Sequence, residues 1–417
     1  MAKPITKYAV QIRNPEDIVE ELNKAYHIAT TGRRGPVLID LPMNIQRSEV
    51  ENPVYDMTFE DKHTDVVAAQ QAADTILEAL EQAKRPVIML GHGVDSSFSQ
   101  QKLIRFAQKR QIPIITSVLA KSVLGYDHPL NFGCIGGAYG HRYANMIANA
   151  KSDLLLCFGI SLCTRQIGTK VHEFARGAKI IRIDIDPYNL QRDIHENGEN
   201  EVKLQAETGA VIDCLAKVDD PDIEGVSDWL NVCTEIKENL QAVDDATPER
   251  YPNRMIADLS DMLEDTSAIA VDVGQHMVWS YQSFKNHEGQ KLLFSGGHGA
   301  MGYGLPAAIG AYYATGKPTA CICGDGALQM NIQELEWVKR ENLPVKIMVM
   351  NNEALGMIRH LQRDYFDCLF AGTTDGCGFA SCNFAEVAKA YGIPALRMLC
   401  DAVREEAPVS YTHLRAH

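Results

Sequence analysis

The sequence predicts an α/β protein built of doubly wound parallel sheets, and three observations carry that reading. Short β-branched apolar runs alternate with helical patterns almost from end to end, which is the sequence form of repeated βα units. A length of 417 residues with 46% hydrophobic and 23% charged residues suits a soluble chain of two to four domains. The residue types that bind anions and hard cations stand where strands pass into helices, the place where open α/β sheets hold ligands.

In chain order, residues 14–31 read as a helix with Asn14 as N-cap, Pro15 at its first position and Ile18, Leu22, Ala25, Tyr26 and Ala29 on one face. Gly35-Pro36 breaks it, and Val37 to Asp40 is a strand. One helix and one strand cannot cover two faces of a parallel sheet, so residues 1–50 read as the remnant of a domain. Residues 46–64 are charged and without period, a linker. Residues 66–215 form one doubly wound domain: a helix from Val66, a strand from Val87 to Leu90, a helix from Ser97 to Lys109, then strands at 112–116, 154–158 and 179–185. Residues 219–245 are acid-rich and partly helical, a second linker. Residues 254–408 alternate again, with strands at 268–273, 291–294, 319–323 and 345–350 and helices at 301–315, 331–341 and near 384–391. Residues 408–417 continue no pattern, and 409–417 read as a non-native tail.

Forty Lys and Arg against 54 Asp and Glu leave a formal charge of −14, which argues against nucleic acid or an anionic membrane as partner. The longest apolar runs fall well short of the roughly 20 residues of a membrane span. Eleven cysteines are scattered without a C-x-x-C pair, reading as reduced thiols of a cytoplasmic chain.

Gly297-His298-Gly299-Ala300-Met301-Gly302 matches G-x-G-x-x-G, and Asp325 follows at the end of the next strand. Alone this is a dinucleotide fingerprint, but a nicotinamide reading leaves Asn351-Asn352 unexplained. Gly324-Asp325-Gly326 closes one strand and Asn351-Asn352 the next, so a carboxylate and a carboxamide emerge together at carboxyl ends of parallel strands. Such a pair suits Mg2+ shared with a diphosphate.

GDG, a helix, then NN resembles the thiamine diphosphate motif. The settings GQHMVW (274–279), GGHGAMGYGLPAAIGA (296–311), GDGALQMNIQELEW (324–337) and PVKIMVMNNEALGM (344–357) closely resemble acetolactate synthase large subunits, as do PITKYAV (4–10) and GRRGPVLIDLPMNIQ (32–46). The resemblance implies the thiamine diphosphate-binding fold with a Rossmann-like central domain, residues 1–50 being the end of an N-terminally truncated pyrimidine-binding domain. It further implies thiamine diphosphate and Mg2+ as cofactors, with Asp325, Asn352 and the carbonyl of Ala354 as metal ligands. Gln275, His276, Gly324, Gly326, Ala327 and Gly356 would bind the cofactor. Met301 would support its bent form, and Met357 would border the substrate; these two methionines are also the catalytic-site candidates. The implied reaction joins two molecules of pyruvate into acetolactate with loss of CO2, in a homodimer or tetramer.

Three departures accompany the resemblance. The family's activating glutamate lies in a region this sequence does not contain, so the chain alone is expected to be inactive. Leu361 stands where the family carries a pocket-shaping Trp, which leaves the acceptor open, including a sister decarboxylase or carboligase. Of the family's FAD-binding RFDDR stretch only Arg165 remains in Ser161 to Arg165, although Gly91-His92-Gly93 and Gly137 to Gly140 retain glycines; FAD is an open alternative. A non-catalytic thiamine diphosphate-binding protein is the reading from another class.

Overall fold

The computed structural model describes residues 2–51, 53, 65–94, 97–137, 139–218, 225–244, 246–248, 251–399 and 410–415. Their strands fall into three sheets. Parts of both expected linkers, Ala138, and positions 409, 416 and 417 of the expected tail lie outside the described residues.

The first sheet pairs β1 (Tyr8–Gln11) with β2 (Val37–Asp40) in parallel through the helix Ile18–Thr30. The single-strand expectation for this segment is therefore corrected to two strands: a run of four residues, YAVQ, is too short for its period to show in sequence. Asn14 also makes no side-chain capping bond. Pro15–Asp17 is a 3-10 turn, and the helix proper starts at Ile18.

The central sheet contains β3 (Pro86–Leu90), β4 (Ile114–Thr116), β5 (Asn131–Cys134), β6 (Leu154–Phe158), β7 (Lys179–Asp184) and β8 (Glu201–Gln205) in the order β5-β4-β3-β6-β7-β8. Every pairing is parallel. β3 and β6 are almost wholly buried, as strands covered on both faces must be. β5 and β8 escaped the sequence reading because NFGC carries weak β-formers and EVKLQ is a polar edge strand. The second expected linker needs correction as well. It contains the helix Asp228–Asn239, whose Trp229, Leu230 and Cys233 are buried in the central core, with the Trp229 indole donating to the Pro86 carbonyl at 2.9 Å.

The third sheet holds β9 (Ala268–Val271), β10 (Lys291–Phe294), β11 (Thr319–Gly324), β12 (Val345–Asn351), β13 (Ala395–Leu399) and β14 (Ser410–Arg415), ordered β10-β9-β11-β12-β14-β13. β10, β9, β11 and β12 run parallel. β14 enters antiparallel between β12 and β13, so the absence of regular structure expected after Pro408 is corrected for 410–415. The outer edge of β12 offers backbone amides and carbonyls to a further strand, and residues 410–415 pair with them. Two apolar clusters cover the faces of this sheet. One is centred on Leu305, Ala327, Leu335 and Phe384, the other on Ile256, Tyr281 and Phe284. The packed sheet turns the carboxyl ends of β9, β11 and β12 toward a common rim.

Candidate functional site

Three strand ends build this rim. β11 ends in Gly324 and passes without a loop into the helix Asp325–Gln329. Asp325 is buried; its carboxylate accepts from the amide of Gly326 at 2.8 Å and from that of Ala354 at 3.2 Å. Burial raises its pKa to about 6, against the pull of those same amides.

β12 ends in Asn351, also buried. Its Oδ1 accepts from the amide of Glu353 at 3.0 Å and from the Ser381 hydroxyl at 3.2 Å. Glu353 has a φ of 55°, a left-handed conformation that costs energy in a residue with a Cβ, and Asn351 is what holds it. The two asparagines thus divide the work. Asn351 shapes the turn, while Asn352 projects from it and donates to Gln275 Oε1 at 3.3 Å. That leaves the Asn352 Oδ1 as an oxygen donor for a cation. The turn is tied from outside: Leu355 N donates to Thr373 O at 2.9 Å, and Ala354 forms a bridge with Thr374.

β9 is followed by Asp272 and by the helix Gln275–Ser283, whose first residues are Gln275 and His276. His276 is buried between glycines. A Cβ on Gly274 would lie 2.6 Å from its Cε1, and one on Gly324 would lie 3.1 Å away. Burial pushes its pKa down to about 4, so the ring is neutral. Its Nε2 is buried without a hydrogen-bond partner, which costs about 1–3 kcal/mol unless something fills the place.

The loop before the helix Gly304–Thr315 carries Met301, half-buried. A Cβ on Gly326 would come within 2.5 Å of Leu355 Cδ2 and 3.2 Å of Met301 Cε. Gly356 faces Gln275 and Asn352 in the same manner, its would-be Cβ lying 2.1 Å from Gln275 Oε1 and 2.9 Å from Asn352 Nδ2. Asp325, Ala354, Asn352, Gln275, Gly356, His276, Gly324, Gly326 and Met301 are therefore joined in one constellation. Ala327 lies beneath it, buried with its methyl in the core and its carbonyl accepting from Met330 N at 3.2 Å. Met357 is half-buried at the second position of the helix Gly356–Tyr365.

Residues 272–408 match the family model "Thiamine pyrophosphate enzyme, C-terminal TPP binding domain", and residues 73–215 match the central domain of the same enzymes. The chain is 34% identical to the probable acetolactate synthase large subunit of Methanocaldococcus jannaschii over 97% of its length and 69% of the relative's. The chain belongs to the acetolactate synthase-like thiamine pyrophosphate enzymes. It is also 31% identical to acetolactate synthase isozyme 1 large subunit of Escherichia coli, across 97% of this chain and 69% of that one. Acetolactate synthase 1, chloroplastic, of Oryza sativa is 33% identical, over 95% of this chain and 62% of the relative.

The constellation fits a thiamine pyrophosphate enzyme on three structural grounds. His276 Nε2 is a buried polar atom lacking a partner. Gly274, Gly324, Gly326 and Gly356 line a cradle that side chains would fill. Asp325, Asn352 and Ala354 could together offer a carboxylate, a carboxamide and a backbone carbonyl, all oxygens, as Mg2+ prefers. FAD does not find the same support. Gly91, Gly93 and Gly159 pack backbone on backbone, a Cβ on Gly91 falling 2.0 Å from Gly159 O, and Arg165 turns its Nη1 to the carbonyls of Gly296 and Gly297 at 3.4 and 3.3 Å.

Sequence reasoning missed Asp272, Asn331 and the Thr373-Thr374 segment. An acid closing a buried strand directly before a glycine (AIAVDVG) was the available signal for Asp272; the other two contact the site only through folding.

Proposed function

We propose that the rim of β9, β11 and β12 binds thiamine diphosphate with Mg2+ and, where the family's activating glutamate is also supplied, serves to decarboxylate a 2-keto acid, pyruvate first, and to join the product to a second carbonyl compound. The joined contacts of Asp325, Ala354, Asn352 and Gln275 at the strand ends are the single observation that carries this reading. When bound, thiamine diphosphate supplies a nucleophilic carbon and a sink for the electrons released with CO2.

The chain's own residues bind and orient. Asp325, Asn352 Oδ1 and the Ala354 carbonyl hold the metal. The first amides of the helix Gln275–Ser283 face the diphosphate, where a helix start favours negative charge, with the His276 ring buried behind them. Met301 supports the ring system over Gly326, and an apolar wall of Met301, Leu355 and Phe379, whose Cε2 lies 3.8 Å from a Cβ placed on Gly326, keeps water from the reacting side. Met357 and Leu361 border the substrate. Leu361 stands where the family carries a larger Trp, and this smaller side chain favours a carboligase tolerant in its second substrate as the alternative reading.

Ile358, Leu361 and Tyr365 lie exposed on the helix Gly356–Tyr365, which buries no residue; we take this face as part of a homo-oligomer contact. Among the described residues no helix is long and apolar enough to cross a membrane. The ten described cysteines are free thiols, six of them buried, which fits a reducing compartment such as the cytoplasm.

Calorimetric titration with thiamine diphosphate, with and without Mg2+, tests the proposal. Binding that requires Mg2+ and is lost in Asp325→Asn supports it. Metal-independent binding, or binding kept by that variant, overturns it.

A further inference from the structure

Asp272 has no place in the cofactor contacts above, yet its surroundings are specific. It closes β9, is 1% exposed, and is hydrogen-bonded on both carboxylate oxygens. Oδ1 accepts from Val273 N at 2.7 Å and from Gly302 N at 3.0 Å; Oδ2 accepts from Gly304 N at 2.7 Å. A carboxylate so occupied has little capacity left for a substrate or a metal.

What it grips is the turn that follows Met301. Gly302 is left-handed at φ 84° and is also held by its carbonyl, which accepts from Asn331 Nδ2 at 2.5 Å. The residue after Met301 is thus clamped at its N–H from β9 and at its C=O from the turn behind the helix Asp325–Gln329. Gly304 packs tightly against the carboxylate, and its Cβ would lie 3.0 Å from Asp272 Oδ2, close enough to push it aside by a few tenths of an ångström. The far end of Met301 meets the would-be Cβ position of Gly326 at 3.2 Å.

We propose that Asp272, opposed by Asn331, is a positioning residue that sets the height of Met301 over Gly326 and thereby how tightly the ring half of thiamine diphosphate would be held there. This rests on the reading of the site as a thiamine diphosphate site. The clamp acts on the ring half of the site, not on the diphosphate anchor at Asp325 and Asn352. A buried carboxylate gripping backbone amides from a strand end is rigid, and loss of one oxygen lets Met301 relax without disturbing the metal donors.

The test separates the two halves with two probes on the full chain. Inorganic pyrophosphate with Mg2+ reports the anchor, and thiamine diphosphate with Mg2+ reports anchor and ring half together. In Asp272→Asn, thiamine diphosphate affinity falls at least tenfold while pyrophosphate affinity stays within threefold. Asn331→Ala, on a half-exposed turn, does the same more mildly and serves if the first variant does not fold. Met301→Ala combined with either clamp variant costs no more than the larger single loss, because the clamp acts through Met301. Equal losses for both probes overturn the proposal, since they mark a general structural role; so does an unchanged thiamine diphosphate affinity, or losses that multiply in the double variant. A wild-type chain that binds neither probe overturns the functional reading itself, and the clamp with it.

Discussion

Gly356→Ala is the sharpest single perturbation of the site. Gly356 opens the helix Gly356–Tyr365 with an ordinary φ, so alanine suits the backbone and by propensity stabilises it by up to about 1 kcal/mol. The added methyl, however, would lie 2.1 Å from Gln275 Oε1, 2.7 Å from its Cδ and 2.9 Å from Asn352 Nδ2. Carbon and oxygen do not approach that closely, so the Gln275 head must withdraw by more than about 1 Å to reach van der Waals contact. The 3.3 Å bond from Asn352 then breaks, and both side chains leave the positions from which they would hold diphosphate and metal. Gln275 is flexible, so the fold loses no more than about 1 kcal/mol. Thiamine diphosphate affinity, in contrast, falls about 10- to 100-fold, or about 1.4–2.8 kcal/mol. Calorimetric titration with Mg2+ present reads the affinity, and thermal denaturation without ligand reads the fold. Gly310→Ala is the control: it lies in the helix Gly304–Thr315 with nothing within 4 Å of a Cβ, and should stabilise by about 0.5–1 kcal/mol without touching affinity. A folded Gly356→Ala chain with wild-type affinity refutes the argument that this glycine exists to admit Gln275 and Asn352.

Further outcomes follow from the central sheet and the domain contacts. Arg182 and Glu201 are a buried pair at 2.7 Å, with Glu201 also accepting from Ile194 N at 2.9 Å and Arg182 donating to the carbonyls of Arg192 and Asn189. Glu201→Ala strands the guanidinium and lowers stability by about 3–5 kcal/mol in denaturant titration, and a loss under 1 kcal/mol contradicts this. His141 is buried and neutral, held well below the ordinary imidazole range first by burial and then by Lys121. Its folded pKa is depressed, so the stability it permits is complete above about pH 6.5 and declines as pH falls, by at most about 1.4 kcal/mol per unit; denaturation midpoints at pH 7.5 and 5.5 should converge in His141→Gln. Cys377 Sγ shares a hydrogen bond with the Thr374 hydroxyl at 3.0 Å and accepts from the Thr374 amide at 3.1 Å, contacts that pull its thiol down to about 7. It should therefore be the first of the described cysteines alkylated by iodoacetamide at pH 7 in peptide mapping, ahead of the exposed Cys368.

Alternation of apolar strands with helices is a local property, and it was enough to set the fold class and the two long parallel arrays. The Gly-Asp-Gly and Asn-Asn motifs were equally legible, because strand ends in a parallel sheet share one rim whatever the loops between them do. Local pattern failed where a partner decided the outcome: YAVQ, NFGC and residues 410–415 pair as strands along a neighbour's edge, and the helix Asp228–Asn239 joins the core because Trp229, Leu230 and Cys233 pack against the central cluster. The same division holds within the site. Residue types told that Asp325 and Asn352 could hold a metal with a diphosphate. Only tertiary packing decided that Asn351 holds the Glu353 turn, that His276 Nε2 is buried without a partner, and that Asp272 grips the turn after Met301. Those roles depend on which amides and side chains meet across elements distant in sequence, information that no single segment carries.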